Sequence, residues 1–267
     1  MAVGTPSPRR PAVPLGFRRN VDRLTARQLA ILRRAFEKVM AIADDRGYGR
    51  WAGEHGLPFP TECDFAHRRP YFLTWHRAYL WRFERALKDQ EPEAMLGWWD
   101  WRTGRIPPAF DQAEVDGQPN PLFAAEINPV AVEQAAQAGR PVPPVTQRQP
   151  GRPGTRLPTA QEVRDVLALS DFASFNNELE NLHDSVHVWV GGHMSNIGFS
   201  SYDPIFWAHH AMVDRLWRIW QLRRPGLTPP AAIIPTATGF GLTVAQVLDT
   251  TSLGYDYASS TSRPMPS

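Results

Sequence analysis

The spacing of apolar residues predicts an amphipathic helix near the start of the chain. Thr25 precedes it and Gln28 stands three residues later, which is the pattern of a capping box at a helix N-terminus. The apolar residues that follow are three or four positions apart, so they share one face of a helix. They are Leu29, Leu32, Phe36, Val39 and Ala43. We therefore predict a first helix that buries one face.

Two further helices are predicted in the middle of the chain. Pro70 suits the first turn of a second helix, which would run to about residue 89. A third helix is predicted over residues 172–188, because the Gly191-Gly192 pair then stops the helical pattern.

A fourth helix follows, and the four together indicate the fold class. Asp203 and Pro204 have the residue types of an N-cap and a first helical position, and the pattern continues to about residue 223. Residues 103–158 are Pro-rich, and Thr159 caps a short predicted helix through Leu169. We predict a mainly α protein, with a four-helix bundle and long Pro-rich loops.

Composition favours one folded domain. Of 267 residues, 42% are apolar and 21% are charged, and these values exclude disorder for most of the chain. Residues 1–16 are Pro-rich and lack periodicity, so we predict a flexible N-terminal arm there, followed by a single domain over residues 17–260.

Charge and cysteine content narrow the choice of partners and compartment. The net charge is +2, and the basic residues, all arginine except Lys38 and Lys88, are interspersed with acids. A nucleic-acid surface is therefore disfavoured. Cys63 is the only cysteine, which excludes an internal disulfide. No apolar stretch has the length of a membrane span, and no signal peptide is visible, so we expect a cytoplasmic protein; secretion with a partner stays an alternative.

The histidines carry the strongest chemical signal. His183 and His187 are four residues apart in the third predicted helix, so both imidazoles lie on one face and can reach one metal ion. His210 lies on the apolar face of the fourth predicted helix, whereas His209 points about 100° away from it. We assign His210 to the same metal as the HxxxH pair.

A second set of three histidines lies earlier in the chain. His67 and His76 are nine residues apart, which would place them on opposite faces of one continuous helix. Because Pro70 starts the helix after His67, His67 is free to turn toward the site that His76 faces. His55 stands in a Gly- and Pro-containing loop and is the weakest candidate of the three. Six neutral imidazoles suit copper better than magnesium or calcium, and their type alone does not exclude zinc.

Two stretches resemble the copper-binding signatures of the tyrosinase family. They are HRRPYFLTWHRAYLWRFE at residues 67–84, and HDSVHVWVGG at 183–192 together with DPIFWAHHAMVDRLW at 203–217. The resemblance covers about residues 17–257. This family comprises tyrosinases, catechol oxidases, aminophenol oxidases and molluscan-type haemocyanins, which are type-3 copper proteins built on a four-helix bundle.

The resemblance implies a ligand set and further features. It assigns the first copper to His55, His67 and His76, and the second copper to His183, His187 and His210. Residues 255–257 resemble the tyrosine motif that closes the catalytic domain, with Arg18 or Arg19 as its partner, and we expect no C-terminal shielding domain. Cys63 is either linked to His67 by a thioether, as in several family members, or an ordinary buried thiol.

The resemblance also implies an activity. With two copper ions as cofactors and O₂ as co-substrate, we expect ortho-hydroxylation of monophenols and oxidation of o-diphenols to o-quinones, in melanin formation or secondary metabolism. The alternatives are a catechol or o-aminophenol oxidase, a haemocyanin-like oxygen carrier and, more distantly, a zinc hydrolase. Small phenols are the expected partners, along with a copper-delivery (caddie-like) protein.

Residues around the copper pair receive roles from the same resemblance. Related tyrosinases use a glutamate and an asparagine to hold a water that helps remove the phenol proton. Here the glutamate is Glu180, with Glu178 as the alternative, and the asparagine position holds Asp184. The expected pocket residues, for each of which plain packing is the alternative, are Val188, Ile197, Gly198 and Phe206.

Overall fold

The structure is a computed structural model that describes residues 15–59, 66–230, 234 and 241–258. Its helices are α1 (Ala26–Met40), α2 (Tyr48–Gly53), α3 (Phe72–Gln90), α4 (Pro108–Asp111), α5 (Pro129–Gln137), α6 (Ala160–Ala168), α7 (Phe172–Val190), α8 (Ile205–Arg223) and α9 (Val244–Val247). Its strands are β1 (Gly16–Arg18), β2 (Glu114–Val115), β3 (Gln118–Pro119) and β4 (Tyr255–Tyr257). In this part of the chain, no helix combines the length and apolar character needed to cross a membrane.

The four longest helices form the predicted bundle. Helix α3 packs against α1, α7 and α8, and α7 also packs against α8. Helix α8 is buried on nearly every side, and its Trp207, Trp217 and Trp220 are almost inaccessible to solvent. These large aromatic side chains fill the space between the helices. The prediction of a mainly α fold is confirmed.

Local sequence signals explain where the helices begin. Thr25 and Gln28 form the predicted capping box of α1. Asp171 caps α7 by accepting a hydrogen bond of 2.8 Å from the backbone N of Ser174. Helix α3 begins at Phe72, slightly later than predicted, because Pro70 lies in the turn that precedes it. These local signals therefore set where the helices begin.

The Pro-rich connection is more ordered than predicted. It contains α4, α5 and the hairpin of β2 with β3. Its later part packs closely on the end of α7, where Gly191 and Gly192 have positive φ values of 67° and 55°. A Cβ atom on Gly192 would lie 2.0 Å from the carbonyl oxygen of Gln147, so only glycine fits this approach. The two glycines therefore end α7 and also admit the connection.

The two ends of the described chain lie side by side. Strands β1 and β4 pair in parallel, with Arg18 opposite Tyr257. The Arg18 guanidinium is fully buried and bonds to Glu84 of α3 at 2.8 Å and to Asp214 of α8 at 3.2 Å. The hydroxyl of Tyr255 donates to the same Asp214 at 2.7 Å. Of the two predicted arginine partners for residues 255–257, the structure selects Arg18.

Candidate metal centre

Three histidines from two helices converge on one point. His183 and His187 lie one turn apart on α7, and His210 lies on the adjacent α8. The Nε2 atoms of His183 and His187 are 2.9 Å apart. The Nε2 atom of His210 lies 3.2 Å from that of His183 and 3.3 Å from that of His187. We call this group the helical triad.

The other ring nitrogens of the α7 pair face oxygen atoms outside the triad. Nδ1 of His183 lies 3.0 Å from Oδ1 of Asp184, and Nδ1 of His187 lies 2.7 Å from the carbonyl oxygen of Met194. An acceptor at Nδ1 favours the tautomer that carries its proton there. The lone pair of each Nε2 atom is then left for a metal ion, and the ring is held in orientation.

Electrostatics also favours a cation at this point. Burial lowers the pKa of His183 and His210 well below the ordinary value, and it lowers the pKa of His187 to about 4. The three rings are therefore neutral near pH 7. Three neutral Nε2 lone pairs this close repel one another, whereas a metal ion between them makes the same arrangement favourable. The donor set thus fits a copper ion.

The second group, which we call the loop triad, comes from three separate segments. His55 lies in the turn after α2, His67 lies in the turn before α3, and His76 lies on α3. Their ring centroids are 5.0–5.5 Å apart, and one potential ligand atom from each lies within 4.8 Å of the others. Nδ1 of His76 is 2.7 Å from the carbonyl oxygen of Phe72, which leaves its Nε2 for a metal.

The two triads face each other. The rings of His76 and His210 stack at 4.5 Å with an interplanar angle of 17°, and the rings of His67 and His183 are 5.8 Å apart. The ring of Phe206, which is fully buried, lies 4.0 Å from that of His210 and 4.7 Å from that of His55. Phe206 therefore packs beneath both triads, and two metal ions bound here would be neighbours.

His209 lies closer to the helical triad than its place on the helix suggests. Its ring is fully buried, 5.0 Å from that of His183 and 4.7 Å from that of His187. A ligand atom of His209 falls within 4.8 Å of those of the triad. Its nitrogens are nevertheless not among the three Nε2 atoms that converge. His193 lies in the short turn after α7, and its Nδ1 accepts from the backbone N of Gln147 at 2.9 Å.

A cavity of about 240 Å³ leads to both triads. Val188 and Ile197 stand at its mouth with 46% and 50% of their surfaces exposed. Gly198 is not part of the lining; its carbonyl oxygen accepts from the backbone N of Leu57 at 3.0 Å and so holds the loop after His55. The lining residues are His55, His67, His183, Asp184, His187, Val188, Met194, Ser195, Ile197 and Ser200. A cavity of about 240 Å³ has room for a single aromatic ring.

Two carboxylates stand near the triads in different environments. Glu180 is 1% exposed, and burial raises its pKa to about 7. Its Oε1 accepts from the backbone N of Arg68 at 2.7 Å, and its Oε2 has no hydrogen-bond partner among the described residues. Asp184 is partly exposed and forms an ion pair with the Arg68 guanidinium. Glu178, the alternative to Glu180, is exposed on the outer side of α7.

Sequence reasoning overlooked Arg68, although it directly follows a predicted ligand in HRRP. Its contacts with α7 depend on tertiary structure, so only the adjacent histidine marked it in the sequence. Cys63 lies outside the described residues, and its thioether to His67 stays a prediction.

Comparison with known proteins fits this geometry. Residues 45–223 match the profile described as the common central domain of tyrosinase. The chain belongs to the tyrosinase family. A tyrosinase from Streptomyces glaucescens is 35% identical over 242 residues, covering 78% of this chain and 84% of that protein. A haemocyanin from Enteroctopus dofleini is 34% identical over 228 residues, which span 78% of this chain but 18% of that much longer protein.

Solved structures of the tyrosinase family share the fold. A functional unit of octopus haemocyanin superposes with a TM-score of 0.73 and 27% identity, covering 91% of this chain and 68% of that one. A mushroom tyrosinase superposes with a TM-score of 0.74 and 20% identity, covering 92% and 90% of the two chains. Tyrosinase-family proteins bind a pair of copper ions, and the two triads described here fit such a pair.

Proposed function

We propose that this tyrosinase-type oxidase ortho-hydroxylates monophenols and oxidises o-diphenols to o-quinones with O₂. One O₂ would convert a monophenol into an o-quinone and one water, or two catechols into two quinones and two waters. The observation that carries the proposal is the convergence of three neutral Nε2 atoms beside a second histidine triad, at the end of an open cavity. The relatives named tyrosinase support it.

Each triad would hold one copper ion. The ligands we propose are His55, His67 and His76 for one ion, and His183, His187 and His210 for the other. When bound, the copper pair supplies the redox chemistry that activates O₂. The protein fixes the ring orientations through Asp184, Met194 and Phe72, whose oxygen atoms face the Nδ1 atoms.

The cavity would select and orient the phenol. Val188 and Ile197 offer apolar contacts at its mouth, while the imidazole rings line its deep end. A flat aromatic ring placed between them presents its hydroxyl to the triads and excludes water from the reacting carbon.

The phenol proton needs an acceptor, because a tyrosine-like hydroxyl has a pKa of about 10. Glu180 fits this role, since its Oε2 is buried with no hydrogen-bond partner among the described residues and its pKa is about 7. A base with a pKa near the working pH is effective in proton transfer. We propose that the proton passes from the phenol oxygen to Oε2 of Glu180 through one water, because Glu180 is not among the residues that line the cavity. Asp184 would hold His183 and the water nearby.

The test is a substrate panel on protein shown to hold two copper ions per chain. We expect turnover of a monophenol, a catechol and an o-aminophenol. In Glu180→Gln the monophenol rate should fall about 100-fold, while catechol oxidation falls much less, because a catechol loses its protons more easily. Glu178→Gln is the matched control on the same helix and should change neither rate.

Three outcomes would argue against parts of this proposal. Oxidation of catechol but not of monophenol would restrict the protein to a catechol oxidase. Reversible O₂ binding with no turnover of any phenol would favour an oxygen carrier, a candidate supported by the haemocyanin relatives. Zinc in place of copper would remove the oxidase proposal. A copper-delivery partner stays a prediction that this panel does not address.

A further inference from the structure

Arg68 has an unusual backbone conformation beside a predicted ligand. Its φ is 57°, in the left-handed region that non-glycine residues rarely adopt. Among the described residues, the other non-glycine residue with positive φ is Asp116, with φ of 52°, in the exposed turn between β2 and β3. The left-handed conformation costs a non-glycine residue about 1–2 kcal/mol. Contacts of Arg68 must therefore hold it there.

Those contacts all reach one turn of α7. The backbone N of Arg68 donates to Oε1 of Glu180 at 2.7 Å. Its Nη1 donates to Oδ1 of Asn181 at 2.7 Å, and its Nη2 pairs with Oδ2 of Asp184. The guanidinium therefore anchors the residue on the outer face of α7, while the backbone N–H points inward to the buried carboxylate.

The hydrogen bond from the Arg68 backbone N–H determines which oxygen of Glu180 is available to accept a proton. Oε1 is occupied by the Arg68 N–H, so Oε2 is the oxygen without a partner among the described residues. No other hydrogen bond fixes this carboxylate in the described part of the chain. If residue 68 left the left-handed conformation, its N–H would turn away and the carboxylate would be free to rotate.

We propose that Arg68 is a positioning residue whose left-handed backbone, held by the guanidinium contacts to Asn181 and Asp184, orients Glu180 as proton acceptor for the phenol. The inference rests on the proposed function for the role of Glu180 and adds a residue to it. Arg68 itself is not among the residues that line the cavity. Its effect is transmitted by one backbone hydrogen bond.

Comparing alanine with glycine at this position tests the inference. Both Arg68→Ala and Arg68→Gly remove the guanidinium. Glycine adopts positive φ readily, whereas alanine does not. Arg68→Gly should therefore keep the bond to Glu180, and Arg68→Ala should lose it. We expect the ratio of monophenol to catechol turnover to be about 5- to 30-fold lower in Arg68→Ala than in Arg68→Gly, from the cost of the left-handed conformation.

A second readout does not depend on activity. In metal-free protein, hydrogen exchange of the residue 68 amide, followed by NMR, should be slow in the wild type and in Arg68→Gly but fast in Arg68→Ala. Asp116→Ala and Asp116→Gly are matched controls, because they make the same backbone comparison in the exposed turn. They should leave the turnover ratio and the exchange of amide 68 unchanged.

Each result has a defined meaning. Equal loss of amide protection and of monophenol turnover in both Arg68 variants would overturn the inference and reduce Arg68 to an ion-pair partner. Retained protection in Arg68→Ala would overturn it as well. A wild-type protein that oxidises no monophenol would reject the proposed function, and the exchange experiment would still decide whether Arg68 holds Glu180.

Discussion

The two histidine triads are built in different ways. The helical triad draws all its members from α7 and α8, so helix geometry and one packing contact bring its Nε2 atoms within 3.3 Å of one another. The loop triad takes His55 and His67 from turns, and only His76 from a long helix. Its ring centroids are 5.0–5.5 Å apart, compared with 4.4–5.5 Å in the helical triad. One triad is therefore positioned by secondary structure, and the other by tertiary contacts.

Specific hydrogen bonds replace helix geometry around the loop triad. The hydroxyl of Tyr202 donates to the carbonyl oxygen of Leu57 at 2.9 Å, and the backbone N of Leu57 donates to Gly198 at 3.0 Å. These bonds hold the turn that carries His55 against the segment between α7 and α8. The contacts of Arg68 with α7 hold the turn that carries His67. The difference between the triads predicts that they differ in copper affinity.

The largest expected effect comes from removing one ligand of each triad. His55→Ala and His187→Ala should each lower copper content from two ions to one per chain. Phenol oxidation should fall more than about 100-fold, because losing a ligand costs more than losing a residue that only orients a ligand. The copper ion left in His55→Ala lies in the helical triad. It should resist a competing chelator about tenfold better than the ion left in His187→Ala, because its ligands need less ordering.

Equal copper Kd values in His55→Ala and in His187→Ala would contradict the predicted difference between the two triads. His193→Ala serves as control, since Nδ1 of His193 accepts a backbone hydrogen bond away from both triads. That variant should keep two copper ions.

Removing the buried charge of Asp214, which lies on α8, should affect both triads alike. Burial raises the pKa of Asp214, but Arg77 and Arg18 outweigh it and hold that pKa below its ordinary value. Asp214→Asn leaves both buried arginines without this partner, so we expect a loss of about 3–5 kcal/mol in the free energy of unfolding at pH 7. The stabilisation is fully present above about pH 4, the unfolded-state pKa, and is lost as pH falls through the lower folded-state pKa.

Urea unfolding at several pH values measures this effect. The gap between wild type and Asp214→Asn should narrow in acid. Glu93→Gln is the control, because Glu93 pairs with Arg27 on the exposed surface and such pairs contribute about 1 kcal/mol or less. A selective loss of copper from one triad in Asp214→Asn would contradict an effect common to both.

The smallest expected effect is specific to the loop triad. Tyr202→Phe removes the hydroxyl that holds Leu57, at a cost of about 1 kcal/mol. Copper affinity of the loop triad should fall by roughly fivefold, while that of the helical triad stays constant. Chelator titration of Tyr202→Phe in the His187→Ala and His55→Ala backgrounds measures the two separately. Equal weakening of both would show that the loop is not anchored in this selective way.

The same contrast explains what the sequence could predict. The bundle helices follow from local signals, such as the Thr25 capping box and the apolar stripe of α8. The HxxxH pair needed only the period of a helix. The direction of His55, the choice of Arg18 over Arg19 and the contacts of Arg68 depend on residues far apart in the chain, and no local pattern encodes them. His209 was predicted to point away, and packing of α7 beside α8 brings it near.

The pairing of β1 with β4 has a consequence for proteolysis. The hydroxyl of Tyr255 donates to Asp214, which lies one helical turn after His210 on α8. An exopeptidase that trimmed the chain back through β4 would therefore remove a tether from the helix that carries a proposed copper ligand. The packing of α8 next to His210 would then weaken before the bundle itself was degraded.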